Sequence, residues 1–164
     1  PNNNLYFFLI HNSNKKVLKT LSSRCINFKM FLQIDKVSGI VNNLLNNDFY
    51  SELNDDFKSI YDTPGHIVSL YYLFEEYNID KKISIEEFLN LIIDKSLFKK
   101  NLFIKNNLNT FFELYFSKRI FYNKSKDKIY NLYKNFLIKL NDCNIYNLDI
   151  ENILIEFKGK IINE

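Results

Sequence analysis

From about Gln33 to the end of this 164-residue chain, apolar residues recur at helical spacing, and only one proline and three glycines are present to interrupt them. Spacing of three and four residues lines the apolar side chains along one stripe of an α-helix, while glycine and proline are the residues that most oppose helix formation. The pattern predicts a mainly α fold. Ile34, Val37, Val41, Leu44 and Leu45 form a first stripe, and Tyr50, Leu53 and Phe57 suggest a shorter helix. Thr63-Pro64 reads as a helix start, because threonine can cap and proline is favoured at the first helical position. Ile67, Leu70, Tyr71 and Phe74 follow at the right spacing. These elements predict a three-helix subdomain over residues 33–81. A second helical set over 82–164 opens with Ser84 and Glu87 three residues on, the spacing of a capping box. Leu108, Phe111, Phe112 and Tyr115 mark a long helix, and Ile129, Leu132, Tyr133, Phe136, Leu137 and Leu140 mark another. Ile150, Ile153, Leu154, Phe157 and Ile161 mark the last, with Asn147 as its expected cap.

The first 32 residues read differently. Leu5 to Ile10 is a continuous apolar run, the pattern of a strand buried on both faces of a parallel sheet. Val17, Leu18 and Leu21 then share one side of a short helix, and Ile26 to Phe31 alternates as a second strand. A lone edge strand is a poor start for a domain, and the chain begins at Pro1 without Met, so an N-terminal truncation is expected.

Charge and cysteine content exclude several classes. Twenty-two basic against nineteen acidic residues leave a net charge of +3, too little for a domain that is basic throughout, as a dedicated nucleic-acid binder would be. Cys25 and Cys143 are too few and too far apart for a disulfide framework or a paired-ligand zinc site. No apolar run approaches the ~20 residues of a membrane span. A soluble, cytoplasmic protein is expected. The bias toward Asn, Lys, Ile, Phe and Tyr, without Trp or Ala, is that of AT-rich codons, and the Asn-rich stretches are broken by apolar residues at helical spacing.

Within this composition arginine is rare: only Arg24 and Arg119 use it, and all other cations are lysine. Arginine is planar, always charged and bidentate toward phosphate, so Arg24 at a strand–helix junction is a candidate functional residue, with a surface ion pair as the plain alternative. The run from Phe8 through His11-Asn12-Ser13-Asn14 to Ser23-Arg24-Cys25 resembles the clamp-loader branch of the AAA+ family. There a buried strand ends in the first sensor residue, a short helix follows, and a Ser-Arg-Cys box comes next.

The resemblance implies that Asn12 is the sensor residue and that Arg24 is an arginine finger acting on the ATP of an adjacent subunit. It implies the C-terminal end of a AAA+ core over 1–32, a helical lid over 33–81 and an oligomerising helical collar over 82–164. Removing the collar would then abolish assembly and leave the lid folded. Within that branch the chain resembles the delta-prime type of subunit of the bacterial DNA polymerase III holoenzyme, which implies no complete active site in this chain. Its partners would be gamma/tau and delta subunits, with the sliding clamp and primed DNA reached through the complex. No cofactor is expected on this fragment and no membrane contact. His66 stands where the family commonly places a second sensor arginine, after Thr63-Pro64-Gly65, which weakens nucleotide binding by this subunit. The alternatives are a gamma/tau-type ATPase subunit and a non-catalytic helical interaction domain.

The remaining constellations have plain readings. Gly39, Gly65 and Gly159 are too scattered to cradle phosphate, and His11 lacks partners at ligand spacing for a metal. Cys25 reads as a small buried residue, and Asp55-Asp56 and Glu75-Glu76 as solvated charges. Lys99-Lys100 and Lys124, Lys126 and Lys128 read as solvated helix ends. Phe111, Phe112, Tyr115 and Phe116 have core spacing.

Overall fold

A computed structural model describes residues 6–10, 17–28, 32–58, 63–122 and 126–159. The chain divides into two compact units, Pro1–Leu32 and Gln33–Glu164. Among the described residues all regular structure is helical, so the fold is mainly α as expected.

In the first unit, α1 (Lys19–Ser22) is a single turn, and residues 6–10 and 26–28 carry no regular structure. The two expected strands are therefore absent over their described parts; Leu5 and residues 29–31 lie outside the described residues. The physical reason is the nature of a strand, whose backbone groups are satisfied only by a neighbouring strand, whereas a helix satisfies its own. Tyr6, Phe7, Phe8 and Ile10 are 80% exposed or more, so the apolar run has the composition of a buried strand without its burial.

The second unit holds α2 (Ile34–Leu45), α3 (Phe49–Glu52), a 3-10 turn (Asp55–Phe57), α4 (Pro64–Glu76), α5 (Ile85–Asp94), α6 (Leu97–Lys100), α7 (Leu102–Tyr122), α8 (Lys126–Tyr146) and α9 (Ile150–Phe157). Its helix starts follow the sequence closely. Thr63 Oγ1 accepts from the His66 N–H at 3.2 Å with Pro64 in the first turn. Ser84 Oγ accepts from the Glu87 N–H at 3.2 Å while Glu87 Oε2 accepts from the Ser84 N–H at 2.9 Å, a complete capping box.

Helix ends use asparagine where glycine is scarce. Asn46, Asn78 and Asn147 adopt left-handed φ of 52°, 49° and 52°, and no glycine does. Asparagine is the next best residue at such C-terminal positions because its short polar side chain tolerates that conformation. Asn147 therefore follows α8 and does not cap α9 as expected. That role belongs to Asp149, whose Oδ1 accepts from the Glu151 N–H at 2.9 Å.

One apolar core runs through the second unit from Val37 to Phe157. Phe57 and Phe74 from the segment before Lys81 both rest on Phe88 of α5, at ring separations of 5.1 and 5.7 Å. Phe88 in turn meets Phe111 of α7 at 5.1 Å. Farther along α7, Phe112 meets Phe136 of α8 and Phe157 of α9 at 4.5 and 4.7 Å, mostly edge to face, the arrangement aromatic quadrupoles favour. Phe111, Phe112, Tyr115 and Phe116 are at most 1% exposed, so they are core residues as their spacing indicated.

Polar contacts cross the expected 81/82 boundary as well. The Asn54 N–H and side-chain amide donate to the Lys81 and Lys82 carbonyls, each at 2.9 Å. Asp56 Oδ2 accepts from the Ile85 N–H at 3.0 Å and from Lys118 Nζ at 2.6 Å. Its side chain is only 13% exposed. Asp56 thus anchors the start of α5 and the last third of α7, which corrects its reading as a solvated charge. Its partners lie 29 and 62 residues away, beyond any local pattern.

Candidate functional site

Arg24 sits on the turn that ends α1. The Ser23 N–H donates to the Lys19 carbonyl at 2.9 Å, and the Arg24 N–H to the Leu21 carbonyl at 3.0 Å, closing the turn. Ser23 Oγ donates to the Thr20 carbonyl at 3.2 Å, and the Asn27 side-chain amide donates to Ser22 Oγ at 3.4 Å. Short polar side chains on both flanks thus fix the backbone that carries Arg24, as serine and asparagine commonly do at turns.

The guanidinium itself is exposed and has no hydrogen-bond or ion-pair partner among the described residues. Arg119, by contrast, lies over the Tyr115 ring at 5.5 Å and takes part in packing. Of the two arginines, one is absorbed by the fold and the other is presented outward. A presented arginine supplies a planar, permanently charged fork suited to phosphate or carboxylate.

The other expected site residue, Asn12, lies outside the described residues. Cys25 is exposed, not buried as expected. The strand boundary that would have covered it is absent at 26–28, so the thiol next to Arg24 faces solvent. Cys143 is the buried cysteine, on the α8 face toward the α9 start, with its sulfur 3.9 Å from the Asp149 carbonyl. His66 is half-buried in the first turn of α4, with its ring 5.3 Å from that of Phe103 on α7. Its position at a helix start matches the expectation, but packing on Phe103 gives it a structural role as well.

Elsewhere the titrating groups with shifted behaviour have structural causes. Burial pushes the Tyr115 hydroxyl up to about 12 and raises Tyr133. A hydrogen bond to Glu151 raises Lys99, and one to Glu52 raises Lys81. Lys99 is accordingly tied by an ion pair between α6 and α9. The Ser84 hydrogen bonds hold Glu87 below the usual carboxylate range, and those from Ser51 and Asn42 do so for Asp48.

Two open grooves flank α9. One is lined by Ile93, Asp94, Phe98, Glu151 and Lys158, where Lys158 pairs with Asp94. The other, between α8 and α9, is mainly apolar, with Leu132, Phe136, Ile153 and Phe157 below a Lys139–Glu156 ion pair of 2.7 Å. The first also has Ser96 on its lining, with its lysine tied up by Asp94, and the second has no hydroxyl or thiol side chain. Among the described residues no three His, Cys, Asp or Glu side chains converge as a metal site. No described helix is long and apolar enough to cross a membrane.

No protein-family model, curated protein or solved structure matches this chain.

Proposed function

We propose that this chain works as a delta-prime-type clamp-loader subunit of a bacterial replicative DNA polymerase, lending Arg24 to the nucleotide site of a neighbouring subunit. The observation that carries the proposal is the Ser23-Arg24-Cys25 box together with the exposed guanidinium of Arg24, which has no partner among the described residues. A residue that acts in trans must be free of its own chain, held on a defined backbone, and charged at every pH of interest. Arg24 meets these requirements. In the assembled ring its fork would pair with the oxygens of the transferring phosphoryl group of a gamma/tau-bound ATP, where negative charge grows in the transition state. Arginine fingers of this kind act on hydrolysis by orders of magnitude.

In this reading residues 1–32 end a AAA+ core, residues 33–81 serve as lid and residues 82–164 as collar, with a cytoplasmic location. Packing of His66 on Phe103 supports a subunit that lends its finger over a gamma/tau-type motor, because the place of a second sensor arginine is taken by a side chain engaged in the core. A second reading, a helical interaction module in which Arg24 plays no part in hydrolysis, draws support from the lack of strand structure at 6–10 and 26–28.

Reconstitution tests the proposal. The chain is mixed with gamma/tau and delta subunits of the same source and run by size exclusion. It is expected to co-elute with them and to raise ATP hydrolysis stimulated by clamp and primed DNA. A chain that elutes alone, with hydrolysis unchanged, would overturn the assignment.

A further inference from the structure

The chain's modest net charge is unevenly distributed. Residues 121–134 hold Lys124, Lys126, Lys128 and Lys134 against Asp127, a net +3 that equals the net charge of the whole chain, so the rest of the molecule balances. Of these, Lys126, Lys128 and Lys134 are described; all three are exposed and have no ion-pair partner among the described residues. Lys58, Lys81, Lys99, Lys118, Lys139 and Lys158 are each paired with a carboxylate. Lys19, Lys36, Lys82, Lys95, Lys100 and Lys105 are exposed as well, but the charges outside residues 121–134 sum to zero, so the excess positive charge lies in this segment.

The same end of the bundle carries bare aromatic rings. Phe121 and Tyr122 close α7 at 79% and 75% exposure, with ring centroids 5.2 Å apart. Tyr130, 59% exposed, lies just beyond the first turn of α8. Phe116 packs on Tyr133 at 4.9 Å, so α7 and α8 run antiparallel, and the end of one lies beside the start of the other. Rings that the core does not use thus stand among cations that no carboxylate neutralises.

We infer that this end of the α7–α8 hairpin is a contact site for a single strand of nucleic acid, with Phe121, Tyr122 and Tyr130 stacking on bases and Lys126, Lys128 and Lys134 on phosphates. A net positive charge concentrated at one end complements a polyanion, and exposed rings fit unpaired bases, whose faces are open. A duplex offers phosphates but keeps its base faces stacked. A membrane surface would favour a continuous apolar face, whereas Asp127 and Asn131 interrupt this one. The inference is independent of the clamp-loader reading, since it uses neither Arg24 nor any assembly.

Fluorescence anisotropy with the full chain tests it, using a labelled twenty-nucleotide oligo(dT), a duplex of the same length, and vesicles rich in phosphatidylserine. The oligo(dT) is expected to bind, and three phosphate contacts to a single strand predict an affinity loss of about twentyfold between 50 and 200 mM salt. Replacing Phe121 and Tyr122 together by Ala should weaken binding about tenfold with the salt dependence kept. Replacing Lys126, Lys128 and Lys134 by Gln should flatten that dependence. Both variants alter exposed side chains, and unchanged circular dichroism would show that they fold. Absence of oligo(dT) binding would overturn the inference. So would binding to the duplex as tight as to the single strand and indifferent to the aromatic variant, or binding to the vesicles alone.

Discussion

Residues 6–28 and residues 33–159 are both rich in apolar side chains, yet among the described residues only the second region buries them. Phe8 is 92% exposed, whereas Phe88 and Phe111 are fully buried. Composition does not separate the two regions; periodicity does. Helical spacing lets each segment satisfy its own backbone before its stripe finds a partner, so helices add to a core one at a time. A continuous strand-like run needs an adjacent strand before any of its apolar area can be covered. The second region therefore carries the stability, and the first carries the presented residues, Arg24 among them.

The sharpest way to break this contrast is truncation after Lys81. Phe57 and Phe74 would lose Phe88, and Asp56 would lose both Ile85 and Lys118. Against the expectation from the sequence that residues 33–81 stay folded without 82–164, these shared contacts predict that they lose cooperative unfolding altogether; a sharp thermal transition in that fragment would show that they close a core alone. Next comes the pair Phe88→Ala and Phe8→Ala in the full chain. The first should cost about 3–5 kcal/mol in urea denaturation, as removal of a buried phenyl ring does. The second should stay within about 0.5 kcal/mol, as for exposed side chains. Equal effects would erase the distinction between the regions.

Smaller effects sharpen it. Thr63→Ala removes the acceptor for the His66 N–H and should cost about 1 kcal/mol, read as a shift in the urea midpoint. The smallest is a pH effect at Glu87. Its folded carboxyl titrates below the unfolded one, so its contribution is present above the unfolded value and fades as pH falls through the folded value. Glu87→Gln should therefore flatten the loss of stability on acidification in that carboxylate window, and a variant with an unchanged slope would remove Glu87 from the account.

Much of the helical region could be read directly from the chain. The Thr63-Pro64 start, the Ser84–Glu87 box and the aromatic spacing of α7 are local patterns, set by residues within one or two turns of each other. Asp56 was missed because its partners are supplied by α5 and α7 from far along the sequence. Asn147 was misplaced because asparagine serves equally before a helix and after one, and only the backbone angle of 52° decides. The strands were expected from apolar runs alone, which state a preference for burial and not the presence of a partner. Around the candidate site, rarity of arginine singled out Arg24, but that rarity could not separate it from Arg119, which the fold occupies with Tyr115. Exposure of Cys25 followed the missing strands and could not be foreseen separately from them.

The functional account rests on Arg24 reaching a neighbour's phosphoryl group. Its most direct test is clamp- and DNA-stimulated ATP hydrolysis by the loader reconstituted with Arg24→Ala or Arg24→Lys in this chain. The account predicts a loss of about tenfold or more with alanine, little rescue by lysine, which lacks the planar fork, and unchanged assembly by size exclusion. Wild-type hydrolysis by an assembled Arg24→Ala loader would contradict it.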